Sequence, residues 1–378
     1  MKVFGIIIEA NPFHNGHKYY IDQIKTEYNP DVIIAVVSGS FSMRGEVSLL
    51  DKFTKTSILL DSGVDLVFEL PFYQAVQSAD YFATSSVNIL NEVGITNLAF
   101  GSETIDLSLY DKVYKAYLES KLISNSSISQ KKQWLNHLKL NDFSESEIDI
   151  ISKPNFTLGF AYYKVIKDNN LNIDINLIKR AHNNYDDETP TSHIASATSI
   201  RNLKLENKDV SLYIPYDQNK LIDLNKANNN LLTLLKNCFL TEETQSSNYE
   251  EKEGIYNYIK KNGDFFQDLN ILRDSLKNKK YTVNKINRSL LHNLLGTVSH
   301  KTNETYLRLL GTSKLGLVFI NNLPKNVKTS VFSAPKSLSN KSLSPELEYE
   351  LKATRLYQNI TNDKDLYLNE FKLPIRKD

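Results

Sequence analysis

A doubly wound, parallel α/β sheet followed by a mainly helical C-terminal domain is the architecture this sequence predicts. Three observations predict it. Four apolar runs of strand length, at 3–9, 31–38, 64–70 and 96–100, alternate with segments of helical periodicity. The first run leads into Asn11-Pro12-Phe13-His14-Asn15-Gly16-His17, which sets two of the chain's seven histidines between a strand and a helix. After about residue 205 the alternation stops, and polar helical segments take over.

The 378 residues suffice for two domains, expected at 1–205 and 206–378. A hydrophobic content of 41% and a charged content of 24% are ordinary for a globular protein. The single cysteine, Cys238, excludes an intramolecular disulfide and any cysteine-based metal cluster. No apolar run approaches the ~20 residues of a membrane-spanning helix, and the N-terminus lacks the basic-then-apolar layout of a signal peptide. The expected location is the cytoplasm.

Apolar runs such as 3–9 suit parallel strands buried on both faces. A helix is expected from Gly16 to about residue 28. The second strand, at 31–38, runs into a loop with two glycines and a cation, Gly39-Ser40-Phe41-Ser42-Met43-Arg44-Gly45-Glu46. Apolar residues at helical spacing follow from 49 to 61 and stop at Ser62-Gly63. The third strand, at 64–70, is halted by Pro71, and a long helix follows to residue 92. The fourth strand runs into Gly101-Ser102-Glu103. The loops after these strands should share one sheet edge and gather His14, His17, Arg44, Glu69 and Gly101. Residues 107–152 are helical and polar, an insertion in which the only tryptophan, Trp134, is a packing anchor. Pro154-Asn155 opens another helix. Residues 172–180 alternate as a fifth strand ending in Lys179-Arg180, and a polar loop leads to Ala195-Ser196-Ala197-Thr198-Ser199-Ile200-Arg201.

Two of these stretches carry chemistry. A crevice beyond the strand ends is where open α/β sheets bind ligands, and a helix N-terminus there attracts anions. Imidazoles at that point donate hydrogen bonds to phosphate oxygens as charge builds at phosphorus. The hydroxyl run Ser196 to Ser199 caps a second helix, with Arg201 one turn in as a fixed cation.

The C-terminal half has a lopsided charge. Between 271 and 345 there are thirteen Lys and Arg against two acids, Asp274 and Glu304, in a chain whose net charge is only +1. Lys279, Lys280, Lys285 and Arg288 surround Tyr281. Such a sustained excess is the footprint of a surface for phosphate backbone. The run at 242–253 is instead acidic and reads as an exposed linker.

The His-x-Gly-His motif resembles the signature of nucleotidylyltransferases and class I aminoacyl-tRNA synthetases. The fuller set resembles one family, the bacterial tRNA(Met) cytidine acetate ligases: Asn11 to His17, Ser38-Gly39 to Glu46, Lys52-Phe53-Thr54, Glu69-Leu70-Pro71, Phe100 to Glu103, Pro154-Asn155, Lys179-Arg180 and Ser196 to Arg201. Two places depart from its pattern: Phe156 follows Pro-Asn where a second Asn is usual, and Asp186 stands where a histidine is usual. The resemblance implies a ligase that activates acetate with ATP to acetyl-adenylate. It then acetylates N4 of the wobble cytidine in elongator tRNA(Met). It also implies an ATP site of Ile7, Ile8, Glu9, Ala10, Asn11, Pro12, Phe13, His14, Asn15, Gly16, His17, Lys18, Tyr19 and Tyr20, with Gly101, Asn155 and Arg180. Gly101 would let backbone approach the adenosine, Asn155 would read a ribose or base edge, and Arg180 would pair with phosphate.

In this reading the catalytic residues are His14 and His17 on the phosphates and Ser196, Thr198, Ser199 and Arg201 on the leaving pyrophosphate. No metal is held by protein side chains alone; Mg2+ rides mainly on the nucleotide. Lys279, Lys280, Lys285 and Arg288 would bind tRNA. Two rivals stand beside it. A small-molecule adenylyltransferase explains the N-terminal half but not the basic C-terminal one. The other is an RNA-binding protein that only senses ATP, which acetate-dependent ATP–pyrophosphate exchange would exclude.

Overall fold

The computed structural model describes residues 1–120, 134, 137–180, 193–240, 254–262, 268–278, 280–297, 306–335 and 344–377. The expected strands are present as β1 (Val3–Ile8), β2 (Val32–Ser38), β3 (Leu66–Leu70), β4 (Asn97–Ser102) and β5 (Asp174–Lys179). They are mutually parallel in the order β5-β4-β1-β2-β3. The chain grows outward from β1 through β2 to β3, then returns to the other side of β1 with β4. That reversal opens a crevice beyond the carboxyl ends of β1 and β4.

Side-chain alternation explains the burial on both faces. Phe4, Ile6, Ile8, Ile33, Ala35 and Val37 face the helices Asn15–Tyr28 and Lys52–Asp61. Val3, Val32, Ile34 and Val36 face the helices Ala79–Glu92, Leu107–Ser120 and Pro154–Asp168. The insertion at 107–152 is helical where described, and Trp134 packs against this second core beside His137.

The region after 205 is mainly helical, but a boundary there is not a boundary of the sheet. Strand β6 (Leu307–Ser313) pairs antiparallel with β3, and β7 (Val331–Phe332) and β8 (Ile375–Lys377) pair with β6. The first-face core also runs without a break from Ile6 and Ile21 to Leu235, Leu290 and Leu356. The C-terminal half therefore adds strands to the sheet edge and packs against one of its faces.

The basic reading of Arg308, the second residue of β6, helped to hide this strand. From sequence it is one of the thirteen basic-surface residues; in the structure it is 1% exposed and pairs with Glu69 and Glu370. Glu69 is correspondingly absent from the ligand edge. It lies under the sheet, where Lys52, Arg308 and Tyr306 bind its carboxylate.

Candidate functional site

A cavity of about 300 Å³ opens at the crevice between β1 and β4. His14 is the N-cap of the helix Asn15–Tyr28 and His17 is its third residue, and the two form a reciprocal capping box. Gly16 N–H donates to His14 Nδ1 at 3.0 Å, and His14 N–H donates to His17 Nδ1 at 3.1 Å. Each Nδ1 is an acceptor, so each neutral ring carries its proton on Nε2. The ring centroids are 3.8 Å apart, and Phe13 stacks on His17 from the core side. Gly16 is required by this packing: a Cβ there would lie 2.9 Å from His14 Cε1.

Both imidazoles are held neutral. Burial, then the neighbouring His17, Arg180 and Arg201, lower the His14 pKa well below its ordinary value. Burial, then Arg180 and Lys55, lower that of His17 to about 3. Lys55 lies beneath the site, donating to the carbonyls of Ser38 and Gly39, and burial lowers its own pKa to about 8. The geometry provides two oriented N–H donors, and the surrounding cations favour an anion.

The hydroxyl run meets this motif. Ser196 caps the helix Ala197–Leu205, accepting from Ser199 N–H. Arg201 Nη1 donates to Asn11 O at 2.8 Å, and the guanidinium also touches Thr198 and Glu46. Ser196, Thr198 and Arg201 line the cavity, with Gly101, Asn155 and Arg180 on its other side. Asn11 accepts from Leu49 N–H through Oδ1, while its buried Nδ2 has no partner among the described residues.

Five expected residues are not in the lining. Pro12 and Phe13 are buried behind it, and Ser199 is buried as part of the helix cap. Asn15 turns to the carbonyls of His193 and Leu212, and Lys18 is exposed and pairs with Asp22. Each takes its partner outside the cavity: the two carbonyls hold the Asn15 amide, and Asp22, one turn further on, holds the Lys18 ammonium. Ile7, Ile8, Glu9, Ala10, Asn11, His14, Gly16, His17, Tyr19 and Tyr20 do line it.

Asn155 lines the cavity with the direction of its amide already set. Oδ1 accepts from Arg180 and Nδ2 donates to Glu103, which leaves one lone pair and one N–H for a ligand. Phe156, the departure from the family pattern, is a core residue stacked on Tyr110 at 4.3 Å. Asp186 and the loop at 181–192 lie outside the described residues.

The sequence reading missed the apolar wall, formed by Phe100, Leu158, Tyr162 and Ile178. Leu158 and Tyr162 share a helix face at i, i+4, a spacing that also fits an ordinary core. It also gave no lining role to Met43 and Glu46, which join the expected Arg44 in the wall. Their loop is pinned at Gly45, whose φ is +72° and whose Cβ would lie 2.5 Å from Arg288 N. The helix Val283–Leu294, bearing Lys285 and Arg288, thus lies directly against a loop of the cavity. Lys280 and Lys285 flank the Tyr281 ring at 5.1 and 5.8 Å; Lys279 lies outside the described residues.

Arg180→Ala should weaken ATP binding by about 1.5–3 kcal/mol, the range for a hydrogen bond to a charged group. Calorimetric titration checks this, and unchanged affinity would remove Arg180 from the nucleotide site.

Known proteins can be set against this geometry. The model of the HIGH Nucleotidyl Transferase family matches residues 1–370. A tRNA(Met) cytidine acetate ligase of Caldicellulosiruptor saccharolyticus is 32% identical, with 98% of each chain covered. That of Bacillus licheniformis is 32% identical, over 94% of this chain and 92% of its own. Among solved structures, apo Thermotoga maritima TmcAL superposes with a TM-score of 0.83 at 25% identity, covering 100% of this chain and 99% of its own. The same protein bound with alpha-thio ATP superposes with a TM-score of 0.78. With its strand order, its His14–His17 capping box and its length matched end to end, this chain belongs to the HIGH nucleotidyl transferase family and, within it, to the tRNA(Met) cytidine acetate ligases.

Proposed function

We propose that this chain is an ATP-dependent ligase that activates acetate and delivers the acetyl group to N4 of the wobble cytidine of elongator tRNA(Met). The observation that carries the reading is the pair of neutral imidazoles at one helix N-terminus, each with an Nε2–H donor, facing a cavity that also holds Arg180 and Arg201.

ATP lies with its phosphates at the start of the helix Asn15–Tyr28 and its adenosine toward Gly101 and the apolar wall. An acetate oxygen attacks the α-phosphorus in line, the bond to the β-phosphate oxygen breaks, and pyrophosphate departs. His14 and His17 donate to the non-bridging oxygens, which gain charge as the bond breaks. Arg201, with the hydroxyls of Ser196 and Thr198, holds the leaving pyrophosphate. No side chain forms a covalent bond, so positioning and preset charge supply the rate. The cytidine N4 then attacks the acetyl carbonyl. The carbon–oxygen bond to AMP breaks, AMP leaves with the electron pair, and N4 gives up one proton.

Among the described residues no group of three or more His, Cys, Asp or Glu is arranged to hold a metal ion. The carboxylates of the cavity wall are Glu9 and Glu46, which fits a Mg2+ carried mainly by triphosphate oxygens. Bound there, it would neutralise phosphate charge.

The RNA approaches over the basic helix. Lys280 is exposed, Lys285 and Arg288 are half-buried, and their helix abuts the loop that carries Met43, Arg44 and Glu46. An anticodon loop presents its bases unpaired, so the target base can reach the cavity without opening a duplex. Replacing Lys279, Lys280, Lys285 and Arg288 together should raise the Michaelis constant for tRNA. It should also flatten the salt dependence, by a log–log slope of about one for each phosphate no longer neutralised. Acetyl-adenylate formation without tRNA should not change; if it fell while tRNA affinity held, the small-molecule adenylyltransferase reading would replace this one. Among the described residues no helix is long and apolar enough to cross a membrane.

The direct test is incubation with ATP, labelled acetate and bulk tRNA, followed by nucleoside mass spectrometry. Label should appear as N4-acetylcytidine. Absence of label together with absence of acetate-dependent pyrophosphate exchange would overturn the proposal.

A further inference from the structure

Glu103 stands at the end of β4 and is not itself in the cavity wall. It nevertheless begins a chain of hydrogen bonds that ends there. Its Oε1 accepts from both the backbone N–H and the side-chain Nδ2 of Asn155, at 3.3 and 2.7 Å. The Asn155 Oδ1 in turn accepts from Arg180 Nη1 at 2.7 Å. An amide has one donor end and one acceptor end. A carboxylate offers only acceptors, so it fixes which end of the amide faces it. Glu103 therefore forces the Asn155 carbonyl toward Arg180, and the guanidinium is held by an acceptor of defined direction. Were the amide reversed, two sets of N–H donors would face each other.

We propose that Glu103 is a positioning residue for the nucleotide: through Asn155 it sets where the Arg180 guanidinium meets the phosphates. The inference rests on the reading of Arg180 as a phosphate contact. Three features support it. The three residues come from separate elements, the end of β4, the first turn of the helix Pro154–Asp168 and the end of β5, so their convergence is a tertiary construction. The Arg180 stem lies in ordinary contact with the strand end two residues before Glu103, its Cγ 3.5 Å from where a Cβ on Gly101 would stand. Asn155 and Arg180 both line the cavity, while Glu103 touches it only through them.

The test is calorimetric titration of the intact protein with ATP and, separately, with adenosine. Glu103→Leu keeps the bulk but removes the acceptor, and should weaken ATP binding about tenfold, the equivalent of about one modest hydrogen bond. Adenosine affinity should stay at the wild-type value, because Arg180 acts on phosphate; a general loss of packing would lower both. Glu103→Gln keeps an oxygen for the two Asn155 N–H groups and should recover ATP affinity to within about threefold of wild type. In an Asn155→Ala background, Glu103→Leu should cost nothing more, since the intermediate is gone.

Wild-type ATP affinity in Glu103→Leu, a Gln variant as weak as the Leu variant, or full additivity with Asn155→Ala would each overturn the relay. Failure of the underlying site reading looks different. In that case Arg180→Ala itself would bind ATP normally.

Discussion

His17→Ala should eliminate measurable acetate-dependent ATP–pyrophosphate exchange, a loss of about a hundred- to a thousandfold for one oriented donor in a site of this type. The expectation follows from the tautomer. His17 Nδ1 is occupied by the N–H of His14, so its Nε2–H remains as a donor whose direction the helix cap has already fixed. Alanine removes the donor and half of the capping box together. The cap contribution is small, about 0.5–2 kcal/mol, so the variant should remain folded and should still bind tRNA. Near-normal exchange in a folded His17→Ala protein would contradict the assignment of this motif to the α-phosphate. His14→Ala should behave similarly, because its Nδ1 is bonded to Gly16 and its Nε2 is presented in the same way.

The largest effect on stability is expected at Lys52. Its ammonium is fully buried and lies 2.5, 2.8 and 2.6 Å from Glu69, Glu350 and Glu370. Arg308 is the second cation, 2.6 Å from Glu370 and 3.3 Å from Glu69. Tyr306 donates to Glu69, and the Phe72 N–H donates to Glu350. Three carboxylates against two cations leave the cluster one negative charge in excess if all are ionised. Burial, and the nearby Glu69 and Glu370 working against Lys52, raise the Glu350 pKa to about 7.

Lys52→Met would leave three carboxylates around one guanidinium. Breaking a buried pair from one side costs about 3–5 kcal/mol, and chemical denaturation should read a loss of that order. The loss should depend on pH in a definite direction. A carboxyl whose folded pKa is raised binds more protons folded than unfolded, so its contribution falls as pH rises from its ordinary 4.5 toward about 7. Without Lys52 more carboxyls join that behaviour, and the variant should lose stability more steeply than the wild type across this window. A Lys52→Met protein as stable as wild type at pH 7 would mean that the cluster contributes nothing to docking the C-terminal half.

That cluster shows where sequence reasoning ends. Lys52 and Glu69 belong to one stretch of chain, but Arg308 is 239 residues beyond Glu69, and no periodicity connects them. Read locally, Arg308 is a surface cation and Glu69 a strand-end carboxylate available to ligand. Both are neutralising partners in the core, and the pairing of β6 with β3 is what brings them together. The functional loops were more legible. The order strand, Pro, His-x-Gly-His, helix is local, and capping chemistry acts within a few residues.

The sequence by itself determined the five parallel strands, their alternation with helices, and the two helix starts that bear His14, His17 and Arg201. Each depends on side-chain spacing along one segment, and the physics of strands, helices and caps acts over that range. The tertiary structure alone decided three things: that the C-terminal half adds strands to the sheet, that Lys18 and Asn15 turn away from the cavity, and that Asn155 is held between Glu103 and Arg180. These depend on which surfaces meet when distant segments are buried together. A buried charge or amide takes the partner that desolvation forces on it, and that partner is set by the packing of the whole chain.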